Sequence, residues 1–226
     1  MHSAHSLGKA IAAVVLTALG LLPALTRAAD HADAPGTKGA HGDHAADITD
    51  VFLFRANGKL VGAINICGAP APQTRVDGPT GRFDPQVIFT YHIDTNCDAK
   101  PDIDVNVRFG VNSAGQTGVQ LENLPGAGAT LVAGPVETIN TTPSGLRFFA
   151  GLKDDPFFFD FQGFSATEAS FDTTNRTSTG KLLFDNKRDS FGGRNITAIV
   201  FEMDETAATQ GSTKICVYAT SGRLMQ

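Results

Sequence analysis

Ile103-Asp104-Val105-Asn106-Val107-Arg108-Phe109 alternates apolar and polar residues without a break, and Val87-Ile88-Phe89-Thr90-Tyr91-His92-Ile93 ahead of it is rich in β-branched and aromatic side chains. A period of two places successive side chains on opposite faces, so each run reads as a strand with one buried face. The acidic stretch between them, 94–102, becomes the tip of a hairpin. More than any other feature, this pair commits the chain to antiparallel β structure.

The tip carries a pattern of its own. Asp94, Asn96, Asp98 and Asp102 stand at positions 1, 3, 5 and 9 of a calcium-type loop, and the backbone carbonyl of Lys100 falls at position 7. Four carboxylates (Asp94, Asp98, Asp102 and Asp104) within eleven residues repel one another unless something positive lies among them. A hard divalent cation, Ca2+ above all, suits these oxygen donors. Two positions depart from the pattern: Ala99 replaces the glycine of position 6, and Val105 replaces the bidentate glutamate of position 12. An alanine forced to positive φ costs on the order of 1 kcal/mol, so the expected affinity is weak. The plain alternative is a polar turn whose Asp and Asn side chains cap their own backbone. His92 reads as a strand residue with its hydrogen bonds satisfied, not as a ligand.

Residues 1–28 read as a secretory signal: His2, His5 and Lys9 at a polar start, an apolar run over 10–25, and Thr26-Arg27-Ala28 as the cleavage site. Gly20 and Pro23 interrupt the apolar run, and no later segment approaches ~18 consecutive apolar residues, so no membrane insertion is expected. The expected location is periplasmic or secreted. Loss of the signal removes Lys9 and Arg27 and no acid, taking the net charge from −5 to −7, with 16 basic against 23 acidic residues. Such acidity, with no basic run, argues against nucleic acid and favours a divalent cation as partner; a protein partner is left open. Cys67, Cys97 and Cys216 are an odd number for an exported chain, which implies one disulfide and a spare thiol, with the pairing open.

Residues 29–47 read as a flexible arm. Three His and five Asp within 30–50 offer imidazole and carboxylate ligands, although their spacing matches no closed zinc motif. Cleavage after Ala28 would leave Ala29-Asp30-His31 at the mature start. There the amine, two amides and the His31 imidazole form a square-planar nitrogen set suited to Cu2+ or Ni2+.

Beyond the arm, 48–226 reads as a single β-rich domain with neither repeat nor second domain. Apolar runs over 48–54 and 60–67 flank Asn57-Gly58, the strongest short-range hairpin signal. Further strands are expected at 118–122, at 129–133 followed by 136–139, at 196–203 and, in the tail, at 213–219. Residues 68–85 read as a long loop, and 164–189 as a polar stretch with room for one short helix. The expected fold class is all-β, a β-sandwich or related antiparallel sheets, with long loops and little helix.

Seven of the sixteen Phe fall within 148–164, split by Asp154-Asp155-Pro156. The plain reading builds the core from these rings and a tight turn from the two Asp. The functional reading makes Asp154 and Asp155 further ligands and the rings the wall of a binding site. With Asp47, Asp50 and His31 or His44, they would form a metal-assisted hydrolase, in which a bound water is activated and a carboxylate acts as base. No Gly-x-Ser-x-Gly elbow, His-Glu-x-x-His helix or phosphate loop occurs in the sequence. A carbohydrate-binding module would need aromatic platforms, and the chain has no Trp and only Tyr91 and Tyr218. The leading expectation is an exported binding or structural protein with a divalent-cation loop at 94–104; the hydrolase is the alternative.

Four stretches together resemble an exported bacterial family known as domain of unknown function 4331. They are Asp47-Ile48-Thr49-Asp50 leading to Phe54-Arg55, the acidic run from His92 to Asp102, Lys153-Asp154-Asp155-Pro156-Phe157-Phe158, and Asn195-Ile196-Thr197-Ala198-Ile199-Val200-Phe201-Glu202. His31-Ala32-Asp33-Ala34-Pro35 is similar to that family's element near the mature start. The resemblance spans nearly all of the chain beyond the signal and implies a β-rich exported domain without an assigned reaction. Cys97 and Ala99 stand where the family usually has glycines.

Overall fold

The computed structural model describes residues 43–66, 83–172, 177–178 and 181–224. The signal segment, residues 29–42 of the arm with Ala29-Asp30-His31, and Cys67 lie outside the described residues; over 43–47 the chain makes a 3-10 turn (His44–Ala46), Asp43 pairs with Arg223, and Asp47 is fully buried. In chain order the strands are β1 (Ile48–Ala56), β2 (Lys59–Ile66), β3 (Val87–Asp94), β4 (Ile103–Val111), β5 (Thr117–Glu122), β6 (Leu131–Pro135), β7 (Asn140–Thr141) and β8 (Arg147–Asp154). Helix α1 (Phe161–Ala169) follows, then β9 (Phe171–Asp172), β10 (Thr177–Ser178), β11 (Asn195–Met203), α2 (Glu205–Thr209) and β12 (Cys216–Arg223).

Two antiparallel five-stranded sheets make the fold, in the orders β1-β2-β11-β8-β7 and β12-β3-β4-β5-β6, with β9 and β10 a separate ribbon. The protein is all-β in class, as the alternating runs require. Ile64, Ile66, Phe148, Ile199, Phe201 and Met203 from one sheet pack with Phe89, Tyr91, Ile93, Val105, Val107 and Leu121 from the other in a single core. Each sheet hides one face against its neighbour, which is the arrangement of a sandwich.

The layers lock together at Gly62. Above it Tyr91 and Phe201 meet edge to face, with ring centroids 5.2 Å apart and planes at 89°. A Cβ on Gly62 would stand 2.6 Å from the Phe201 ring, so a larger residue would force these aromatics apart. The Tyr91 hydroxyl reaches across to donate to the Phe52 carbonyl at 2.9 Å, so its polar atom is satisfied inside the core. Burial pushes its pKa up. The β1–β2 turn puts Asn57 at φ 51° and Gly58 at φ 71°, the left-handed pair that Asn-Gly favours.

Three expectations shift. The strand expected at 136–139 is absent, because Glu137 adopts φ 58° and its carboxylate accepts the Leu152 N–H at 2.8 Å; the chain turns there and resumes as the short β7. The tail strand begins later, at Cys216, and continues to Arg223. Finally, the Phe-rich run does not build the core as a unit. Phe148 does, but β8 ends at Asp154, and beyond that point Phe157, Phe159, Phe164, Phe184 and Phe191 gather on one another.

That aromatic lobe is anchored by Asp160, the N-cap of α1, which accepts the Gly163 N–H at 2.8 Å and the Asp185 N–H at 2.7 Å. Arg188 closes a two-pronged pair with the same carboxylate, Nε at 2.6 Å and Nη2 at 2.9 Å. The Arg188 guanidinium, helped by the Asp185 and Gly163 N–H groups, outweighs burial and holds the Asp160 carboxyl down to about 2. No helix among the described residues is long and apolar enough to cross a membrane.

Candidate metal centre at the β3–β4 hairpin

Strands β3 and β4 pair from Ile88 opposite Arg108 to Ile93 opposite Ile103, which brings both ends of 94–102 together. Asp102 donates its N–H to the Ile93 carbonyl at 2.8 Å and closes the tip. Between these ends the side chains form a ladder. Asp94 Oδ1 accepts the Asn96 N–H at 3.2 Å, and its Oδ2 accepts the Ala99 N–H at 2.7 Å. Asn96 Oδ1 accepts the Asp98 N–H at 2.9 Å, and Asp98 Oδ1 accepts the Lys100 N–H at 2.9 Å. Asp102 Oδ2 accepts both the N–H of Thr95 at 2.7 Å and its hydroxyl at 2.5 Å.

These bonds explain the conformation. Pulling successive N–H groups toward one carboxylate requires left-handed residues, and Cys97 at φ 59° and Ala99 at φ 68° supply them. Ala99 therefore bears the strain of position 6 that the sequence implies. A disulfide joins Cys97 to Cys216, with Cα atoms 5.2 Å apart; Cys216 lies opposite Asp94 in the β12–β3 register, so the tip is tied to the edge strand. Pairing is thereby settled for two of the three cysteines.

Asp94 is buried, whereas Asn96, Asp98, Lys100 and Asp102 are exposed. Burial would raise the Asp94 pKa, but the N–H groups of Ala99, Asn96, Asp98 and Cys97 outweigh it and hold the carboxyl below its usual range. Backbone donors thus relieve part of the repulsion for which the sequence reading invokes a cation. Among the described residues no three or more His, Cys, Asp or Glu side chains gather in a position to hold an ion. Beside Asp94, the oxygen donors of the tip are the side chains of Asn96, Asp98 and Asp102, which also accept the bonds above, and the Lys100 carbonyl.

The second set of candidate ligands does not converge. Asp47 is fully buried just before β1, and Asp50 lies opposite Asn65. Asp154, at the end of β8, lies opposite Asn195, with Asp155 next to it. Strands β2 and β11 separate the two pairs, and three strand spacings are about 14 Å, far beyond the reach of one ion. His31 lies outside the described residues, and so does the side chain of His44.

His92 behaves as its place in a strand implies. Its Nδ1 lies 2.7 Å from Asp104 Oδ1, its Nε2 lies 2.9 Å from Thr220 Oγ1, and its ring stacks on Tyr218 at 4.4 Å. Sequence reasoning missed two residues. Thr95 clamps Asp102 with both of its donors, a role visible only once the register is known. Arg188 pairs with Asp160 across 28 positions, and no local pattern signals that. Comparison with family models, with curated proteins and with solved structures found no match. The resemblance to domain 4331 rests on its motifs alone.

Proposed function

We propose that this protein is an exported binding or assembly protein whose hairpin tip takes a divalent cation, calcium before others. One observation carries the reading. Asp94, Asn96 and Asp98 each accept an N–H two residues on, and Ala99, at the position normally held by glycine, adopts φ 68° while donating to Asp94. This winding supports a calcium-type loop, in which an ion would have little backbone left to order. The Cys97–Cys216 disulfide supports export, since such bonds persist in oxidising compartments. The Cu2+ or Ni2+ site at Ala29-Asp30-His31 belongs to the same proposal and depends on the mature terminus, which mass spectrometry would establish.

Catalysis is the weaker reading, because the carboxylates it requires stand at opposite sides of a sheet. Melting of the chain in calcium and in chelator tests the cation. A hundredfold excess over the dissociation constant adds about 2.7 kcal/mol to stability, which raises the midpoint. Identical midpoints would count against the tip as a cation site.

A further inference from the structure

We propose that the aromatic lobe beyond β8 holds a second binding site, a pocket for a small organic cation bearing apolar groups, of the alkylammonium class. A cavity of about 610 Å³ opens there, lined by Phe158, Phe159, Asp160, Phe184, Asp185 and Asn186. That volume matches the usual size of small-molecule sites. Phe158 is 59% exposed and Phe184 48%, so two large rings face solvent around a cavity instead of filling the core. Such exposure is costly for rings of this size unless something covers them.

Ring geometry and charge select the ligand. Phe159 packs against Phe184 with centroids 6.3 Å apart and planes at 57°, while Phe158 and Phe184 leave ring surface exposed at the cavity. A cation within about 6 Å of such faces is attracted by their quadrupoles, and its alkyl groups cover apolar surface at the same time. Of the two carboxylates in the lining, Asp160 is neutralised by Arg188 and Asp185 is the other. Asp185, whose Oδ1 accepts the Lys187 N–H at 2.9 Å, is exposed and supplies the carboxylate for a cationic ligand. A neutral apolar molecule would cover the rings and gain nothing from Asp185.

Amide NMR of the full chain, titrated with choline and separately with its neutral isostere 3,3-dimethylbutan-1-ol, tests this. Choline should shift the amides of 158–160 and 184–186, and the neutral isostere should bind roughly tenfold more weakly. Phe158 and Asp185 are both exposed, so Phe158→Ala and Asp185→Asn should leave the spectrum of the sandwich intact. Each should weaken choline by several-fold, and Asp185→Asn should leave the isostere unchanged. Equal binding of the two probes would reduce the pocket to an apolar hollow and overturn the assignment. So would unchanged choline affinity in both variants, or no shift at millimolar choline. Calcium should not compete with choline, so this result stands or falls apart from the hairpin site.

Discussion

Asp94 at the hairpin tip and Asp160 at the start of α1 are both buried, yet backbone N–H groups hold the first and a guanidinium holds the second. Amide dipoles stabilise a carboxylate without cancelling its charge, so the tip stays negative, with Asp98 and Asp102 turned to solvent. The Asp160–Arg188 pair is neutral and already serves as the fastener of its lobe. One buried carboxylate therefore keeps its negative charge and the other is neutralised within the chain. Where a chain supplies its own Arg, a buried Asp marks structure; where it supplies only N–H groups, the residual charge can serve binding.

The anchoring of the tip to the sandwich should show the largest effect. Replacing Cys97 and Cys216 together by Ser should cost about 2–5 kcal/mol in urea unfolding, because the bond closes a long loop and ties the tip to β12. Arg188→Met should act differently. It leaves Asp160 to the Gly163 and Asp185 N–H groups, so hydrogen exchange should accelerate across α1 while the amides of β3, β4 and β11 keep their protection. A global loss as large as that of the disulfide variant would break the contrast between a tied tip and a self-contained lobe.

Acid sharpens the same contrast. The folded Asp160 carboxyl lies at about 2, below its unfolded value near 4. Its contribution is therefore present above about pH 4 and is lost as pH falls toward 2. Exchange at Gly163 and Asp185 should rise across that window, and Arg188→Met should move the onset to higher pH. Asp94, depressed by N–H donors, contributes with the same sign. The smallest effect belongs to Ala99→Gly, which relieves positive φ and should stabilise the chain by at most ~1 kcal/mol in chemical unfolding.

Much of this fold is legible in the sequence because strand signals are local. Alternation around Val105 and Val107, Asn57-Gly58 at a turn, and the run from Ile196 to Phe201 each announce an element without reference to the rest of the chain. Partnership is not local. Nothing near Cys216 indicates that it lies opposite Asp94, and Glu137 reads as strand until its carboxylate is seen bonding the Leu152 N–H. The tip shows the same limit at the scale of a site. Its spacing reveals alternating oxygens, but the inward or outward turn of each oxygen depends on the φ angles of Cys97 and Ala99, which spacing does not encode. The aromatic run misleads because composition cannot show that the sheet ends at Asp154.

Calorimetric titration of calcium into chelator-treated full chain, repeated with Asp98→Asn and Asp102→Asn combined, addresses the hairpin most directly. Expected is a single weak site in the natural sequence and its loss in the variant, with choline binding at the aromatic lobe unchanged. Heat that is absent from the natural sequence, or that persists undiminished in the variant, would show that the tip is a capped turn and nothing more.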